Sequence, residues 1–158
     1  MPIDPAGTRY YRRARFTTRL PQAYRYAPSH FWLQEVETEV WRIGFTHFAT
    51  RMLGDFVEGE FAVPLDERVT VGQAIGWVEG FKAMSDIYCV AEGQFAGVNP
   101  ELAKQPDLVD RDPYDRGWLY QVRGVPDRRS VDCEGYVELL DIAIDRILNL
   151  ENKEAKKC

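Results

Sequence analysis

Apolar and polar side chains alternate in short runs along most of this chain, and only the last quarter switches to helical spacing. Phe31 to Ile43 reads as two strands around an acidic turn, with Val36, Val40 and Ile43 directed at a core. His47 to Leu53 puts Phe48, Met52 and Leu53 on one face of a short helix, with Thr46 as its cap and Gly54 as its stop. Phe56 to Val63, Arg68 to Val71, Ala74 to Glu79, Asp86 to Val90 and Trp118 to Val122 supply further strands, and Gly72 and Gly76 mark bulges or close backbone approaches. Pro100 to Lys104 is one helical turn capped by Asn99. Many short strands with Gly and Pro punctuation predict a mainly β fold, a small sandwich or barrel with a few short helices.

The carboxyl-terminal quarter is different in kind. Between Asp132 and Leu150, Tyr136, Leu139, Leu140, Ala143, Ile144, Ile147 and Leu148 fall on one helical face, opposite Glu138, Asp141, Asp145 and Arg146. Burying such a stripe stabilises by about 1.5–3 kcal/mol per large side chain, so the amphipathic helix is expected to cover the sandwich. Residues 151–158 are charged and expected to fray. The expected organisation is an Arg-rich arm over 1–24, a sandwich over 25–126, and a helix within 127–158 packing on the same domain.

With 158 residues, 45% of them hydrophobic, the chain buries one sizeable core rather than two. It has no apolar run near the roughly 20 residues of a membrane helix and no secretory signal pattern, so a cytoplasmic protein without a membrane partner is expected. Cys89, Cys133 and Cys158 form no Cys-x-x-Cys pair, and His30 and His47 are too few for a histidine-based site, so neither a metal nor a disulfide framework is expected.

The net charge of −5 hides an asymmetry. Residues 1–25 hold six arginines against Asp4, and the remainder holds 14 basic and 24 acidic residues, so +5 is set against −10. Arg12, Arg13 and Arg15 interleave with Tyr10, Tyr11 and Phe16, a composition that suits an acidic partner, the chain's own acidic body or nucleic acid. Nucleic acid ranks last, because the body's charge opposes it.

Lys82 stands between two strand-like runs, at the tip of a hairpin, where its ammonium is reachable by an acylating enzyme. The plain alternative is a lysine that keeps a turn soluble. The surrounding residues Glu79, Lys82, Ala83, Ser85, Asp86, Ile87 and Tyr88 resemble the lipoyl hairpin of the glycine cleavage H-protein family. Tyr26 to Trp32, Ile43 to Thr46 with Leu53 to Asp55, Pro106 to Val109 and Asp112 to Leu119 resemble further blocks of that family, in the same order. The resemblance implies a barrel-sandwich hybrid lipoyl domain, a carrier rather than an enzyme, and lipoate in amide linkage on Lys82. It also implies recognition of the hairpin by a lipoate ligase or lipoyl transferase, through Glu79, Gly80, Phe81, Ala83, Ser85 and Asp86; for Glu79 and Asp86 the alternative is that they only solubilise the turn.

The departures sharpen the expectation. Phe31 stands where the family has Glu, Gly80-Phe81 where it has Ser-Val, and Cys89 to Gly93 replaces its Ser-Pro-Val-Ser-Gly return. With the Arg-rich amino end and Asp132 to Tyr136, these resemble lipoate-binding proteins of a heterodisulfide-reductase-like sulfur-oxidation system. The expected function is therefore a sulfur carrier whose partner is that complex. The alternatives are a glycine cleavage carrier, partnered by glycine decarboxylase, aminomethyltransferase and dihydrolipoyl dehydrogenase, or an unmodified interaction module on the same fold. A biotin carrier is disfavoured, since Phe81 and Ala83 stand where that pattern has Met. By resemblance, His30 lies either near the lipoyl arm's docking cavity or at the core edge beside Trp32. Cys89 and Cys133 either exchange sulfur with the arm or are inert packing. Arg12, Arg13 and Arg15 are the candidate docking residues.

Overall fold

The computed structural model describes residues 7–157, which leaves the first six residues of the Arg-rich arm and Cys158 outside the described residues. Strands dominate: β1 (Thr8–Arg13), β2 (Phe16–Pro21), β3 (Arg25–Tyr26), β4 (Phe31–Glu37), β5 (Val40–Phe45), β6 (Phe56–Phe61), β7 (Arg68–Val69), β8 (Ala74–Gly80), β9 (Met84–Tyr88), β10 (Ala91–Val98) and β11 (Tyr120–Pro126). Helix α1 (His47–Leu53) follows β5, a 3-10 turn (Pro100–Ala103) and α2 (Leu108–Arg111) precede β11, and α3 (Cys133–Lys157) closes the chain.

Two sheets form the sandwich, one of six strands in the order β3-β4-β5-β11-β10-β7 and one of three in the order β6-β8-β9. The core between them joins Leu33, Ile43, Phe95, Tyr120 and Val122 of the large sheet to Ile75, Val78 and Ile87 of the small one. A second core lies on the outer side of the large sheet, where Tyr26 and Trp32 meet Tyr136, Leu140 and Ile144 of α3 and Tyr11, Phe16 and Leu20 of the β1–β2 ribbon. Phe31, Trp32 and Leu33 are all buried because β4 runs between the two cores. That double coverage explains an unbroken apolar run where a strand with one wet face alternates.

Several elements depart from the pattern reading. Val36 is only half-buried, since the β4–β5 register shifts between Glu35 and Glu37 and turns it out of the core. Met52 is 49% exposed, so the buried face of α1 is carried by Phe48. Strand β10 had no prediction because Glu92, Gly93, Gln94 and Gly97 are weak strand formers; nonetheless Ala91, Gly93 and Phe95 alternate inward. Residues 8–21 form an antiparallel ribbon rather than an arm, with Tyr11 opposite Thr18 and Arg13 opposite Phe16. Residues 151–157 continue α3 in place of a frayed end. Among the described residues, no helix is long and apolar enough to cross a membrane.

Candidate functional site

The β8–β9 hairpin pairs Glu79 with Met84, and the Gly80 N–H donates to the Ala83 carbonyl at 2.8 Å, which leaves Phe81, Lys82 and Ala83 as its tip. This tip is not held away from the domain, contrary to the expectation for an exposed turn. The Phe81 N–H donates to the Asp55 carbonyl at 2.8 Å, and the Lys82 and Ala83 N–H groups donate to the Leu53 carbonyl at 2.8 and 3.2 Å. The backbone is docked on the carboxyl end of α1, and the side chains of Phe81 (85% exposed) and Lys82 project.

Two glycines make that approach achievable. A Cβ on Gly80 would collide with the Leu53 carbonyl, and one on Gly54 would sit 2.8 Å from the Lys82 nitrogen. Gly54 also has φ +77°, in the left-handed region that glycine adopts freely. Gly80 is thus required by the contact between α1 and the tip.

Beside Lys82 lies a cleft of about 290 Å³ lined by His47, Thr50, Arg51, Asp55, Phe81 and Asp110. Burial, reinforced by Arg51 and partly offset by Asp110, lowers the His47 pKa and so favours the neutral imidazole. Burial raises the Asp110 carboxyl, partly offset by the hydrogen bond it accepts from the Phe56 N–H at 2.8 Å. Only the docking of the tip on α1 brings His47 and Arg51 to the cleft, so local pattern did not single them out. Asp110 carried no local signal, because only the fold brings α2 to this cleft.

Ser85 and Asp86 are exposed on β9, opposite Val78 and Trp77, and Glu79 is half-buried on β8. The Ser85 hydroxyl donates to the Asp86 carbonyl at 3.0 Å. These groups share the hairpin with Lys82. The other sequence candidates lie elsewhere. His30 sits in the second core, with Nδ1 2.8 Å from the Tyr136 hydroxyl and its ring 4.6 Å from that of Phe48; it takes the core-edge alternative, not the cleft. Phe31 is 4% exposed and stacks on Phe45.

Cys89 is buried in the core between the sheets, its thiol directed at the Ala91 carbonyl at 3.0 Å and its pKa raised by burial. Cys133 is buried in the second core and pushed up to about 11 by burial and by Glu134. The two thiols thus lie buried in separate cores, away from the exposed Lys82 tip. Arg13 is committed internally, paired with both Asp145 oxygens at 2.9 Å and with Asp141 at 3.4 Å, whereas Arg12 and Arg15 are exposed.

A family model described as Glycine cleavage H-protein matches residues 24–139. The chain belongs to the glycine cleavage H-protein family. The "Glycine cleavage system H protein" of Corynebacterium jeikeium is 37% identical over 122 residues, covering 75% of this chain and 95% of that protein. The protein so named in Deinococcus deserti is 41% identical over 102 residues, covering 65% and 81%. The crystal structure of a glycine cleavage system H protein from Mycobacterium marinum superposes with a TM-score of 0.67 at 29% identity, covering 75% of this chain and 97% of that one.

Members of this family are carriers, not enzymes, and hold lipoate covalently on a lysine. The tip fits such a group: its backbone is fixed, its lysine side chain is free, and an open cleft adjoins it. The sulfur-oxidation expectation is corrected. Relatives at 32–41% identity are named glycine cleavage system H protein, and several of the departures that suggested another pathway have packing roles here. Phe31, Cys89 and Cys133 fill cores, Gly80 admits the Leu53 carbonyl, and Arg13 pairs with α3.

Proposed function

We propose that this chain is the lipoyl carrier of a glycine cleavage system and that Lys82 is the attachment residue. The observation that carries the reading is the exposed Lys82 side chain on a tip whose three consecutive N–H groups are pinned to Leu53 and Asp55. When bound, lipoate supplies a dithiolane that takes up and releases the one-carbon amine unit and is then reoxidised.

The residues of the chain do the rest. The Lys82 Nζ gives up a proton and attacks the activated carboxyl carbon of the lipoyl donor, so that the amide forms as the bond to the activating group breaks and that group leaves. Pinning removes backbone freedom at the tip before any enzyme arrives, which lowers the ordering cost of recognition. Glu79, Gly80, Phe81, Ala83, Ser85 and Asp86 form the surface that a lipoate ligase or lipoyl transferase reads. Tethering the reactive group on one side chain gives it an effective concentration on the order of millimolar at each active site it visits. The partners are glycine decarboxylase, aminomethyltransferase and dihydrolipoyl dehydrogenase.

Intact mass and peptide mapping of protein from its native host tests this. A lipoyl amide on Lys82, with aminomethyl loading by glycine decarboxylase, is expected. A bare Lys82 from a host that lipoylates its other carriers would overturn the reading.

A further inference from the structure

The β1–β2 ribbon spans residues 8–21 and lies before the family match, which begins at residue 24. Its two faces are chemically distinct. Inward, Tyr11, Phe16 and Leu20 are buried, Arg9 pairs with Glu134, and Arg13 pairs with Asp141 and Asp145, so the nearby carboxylates of α3 are engaged. Outward, Tyr10 stands opposite Arg19 with the guanidinium 5.3 Å from its ring, Arg12 stands opposite Thr17, and Arg15 occupies the turn. Among the described residues, the side chains of Arg12 and Arg15 make no ion pair or hydrogen bond.

The ribbon's turn lies on the Lys82 side of the molecule. Phe16, next to Arg15, stacks on His47 at 5.4 Å and 22° and meets Phe48 edge-on at 5.6 Å, and His47 lines the cleft beside Lys82. One aromatic contact therefore separates the cationic turn from the side chains around the lysine.

We infer that the outer face of the β1–β2 ribbon, through Arg12 and Arg15 with Arg19 and Tyr10 beside them, docks an acidic surface of an enzyme that works at Lys82. This rests on the attachment reading above. Charge complementarity selects the occupant: a cationic face on a chain whose residues beyond 25 sum to −10 attracts a local acidic patch. A nucleic acid meets that acidic body within the Debye length of about 8 Å at physiological salt, so polyphosphate is the poorer fit. Arginine with tyrosine is also the composition of interface anchors.

The test uses the full chain and the host's purified lipoate ligase and glycine decarboxylase. The Arg12→Glu/Arg15→Glu variant is compared with Arg68→Glu/Arg123→Glu, which changes charge equally on another part of the surface, with unchanged Tm as the check on folding. Roughly tenfold slower association at low salt is expected for the first variant alone, shrinking as ionic strength rises. Equal association for both variants with both enzymes would overturn the docking face. So would arginine-dependent binding of duplex DNA without any change toward the enzymes. The mass of Lys82 separates the two readings. A lipoylated Lys82 with unchanged binding sinks the docking face alone, whereas a bare Lys82 sinks the attachment reading and with it a docking face that serves Lys82.

Discussion

Leu53 and Lys82 are joined through the backbone: the Lys82 N–H donates to the Leu53 carbonyl at 2.8 Å, and the Ala83 N–H reaches the same oxygen at 3.2 Å. The end of α1 and the tip of the β8–β9 hairpin are one rigid unit from which a single lysine side chain projects.

Lys82→Ala is therefore expected to fold normally. The exposed side chain makes no burial contribution, so stability should stay within about 0.5 kcal/mol of the parent, while lipoyl incorporation is lost. Thermal denaturation and mass spectrometry read the two effects, and a large fall in Tm would contradict the free side chain.

Gly80→Ala attacks the same unit from the backbone. Its methyl group meets the Leu53 carbonyl, so either the hydrogen bonds to the tip lengthen or the strand shifts, at a cost of about 1–3 kcal/mol. Slower lipoylation by the ligase should accompany the lower Tm. Full retention of both would show that the tip does not need its seat on α1.

The ribbon is held more by its rings than by its charges. Arg13 and Asp145 are 41% and 49% exposed, so solvent screens the pair and leaves it little weight, whereas emptying the site of a buried ring costs about 3–5 kcal/mol. Denaturant titration should therefore find Phe16→Ala several times more damaging than Arg13→Ala. The reverse order would place the anchor in the ion pair.

Acid should destabilise the second core. Burial lowers His30 to about 4 from its ordinary 6.5, so on acidification the unfolded chain takes up this proton first. The contribution is complete above pH 6.5 and is lost as pH falls toward 4, by roughly 1–3 kcal/mol after allowing for partial exposure. His47 is lowered in the same sense, and the raised Asp110 opposes both. His30→Asn tolerates the φ of +72° at this position and should flatten the pH dependence of unfolding; an unchanged slope would assign it elsewhere.

Much of the sandwich was legible in local pattern. Thr46 caps α1 through the Ala49 N–H at 3.4 Å, Asn99 caps the 3-10 turn through Glu101 at 3.0 Å, and Tyr136, Leu140 and Ile144 are the buried stripe of α3. The Lys82 hairpin was legible too, because its strands flank it directly. What escaped notice depended on distance in sequence. The inward ribbon positions mix Arg9 and Arg13 with aromatics, so alternation was hidden until α3 supplied the carboxylates. His30 and His47 were indistinguishable by type, and only packing sends one to Tyr136 and the other to the cleft.

The ribbon and α3 meet across nearly the whole length of the chain, with Tyr11 and its partner Asp141 130 positions apart. At about 5–20 residues per second of synthesis, the first strands wait on the order of 10 s for the helix that completes their burial. A ribosome-bound nascent chain thus carries Tyr11, Phe16 and Leu20 only partly covered, and the earliest-made element is the last to be finished.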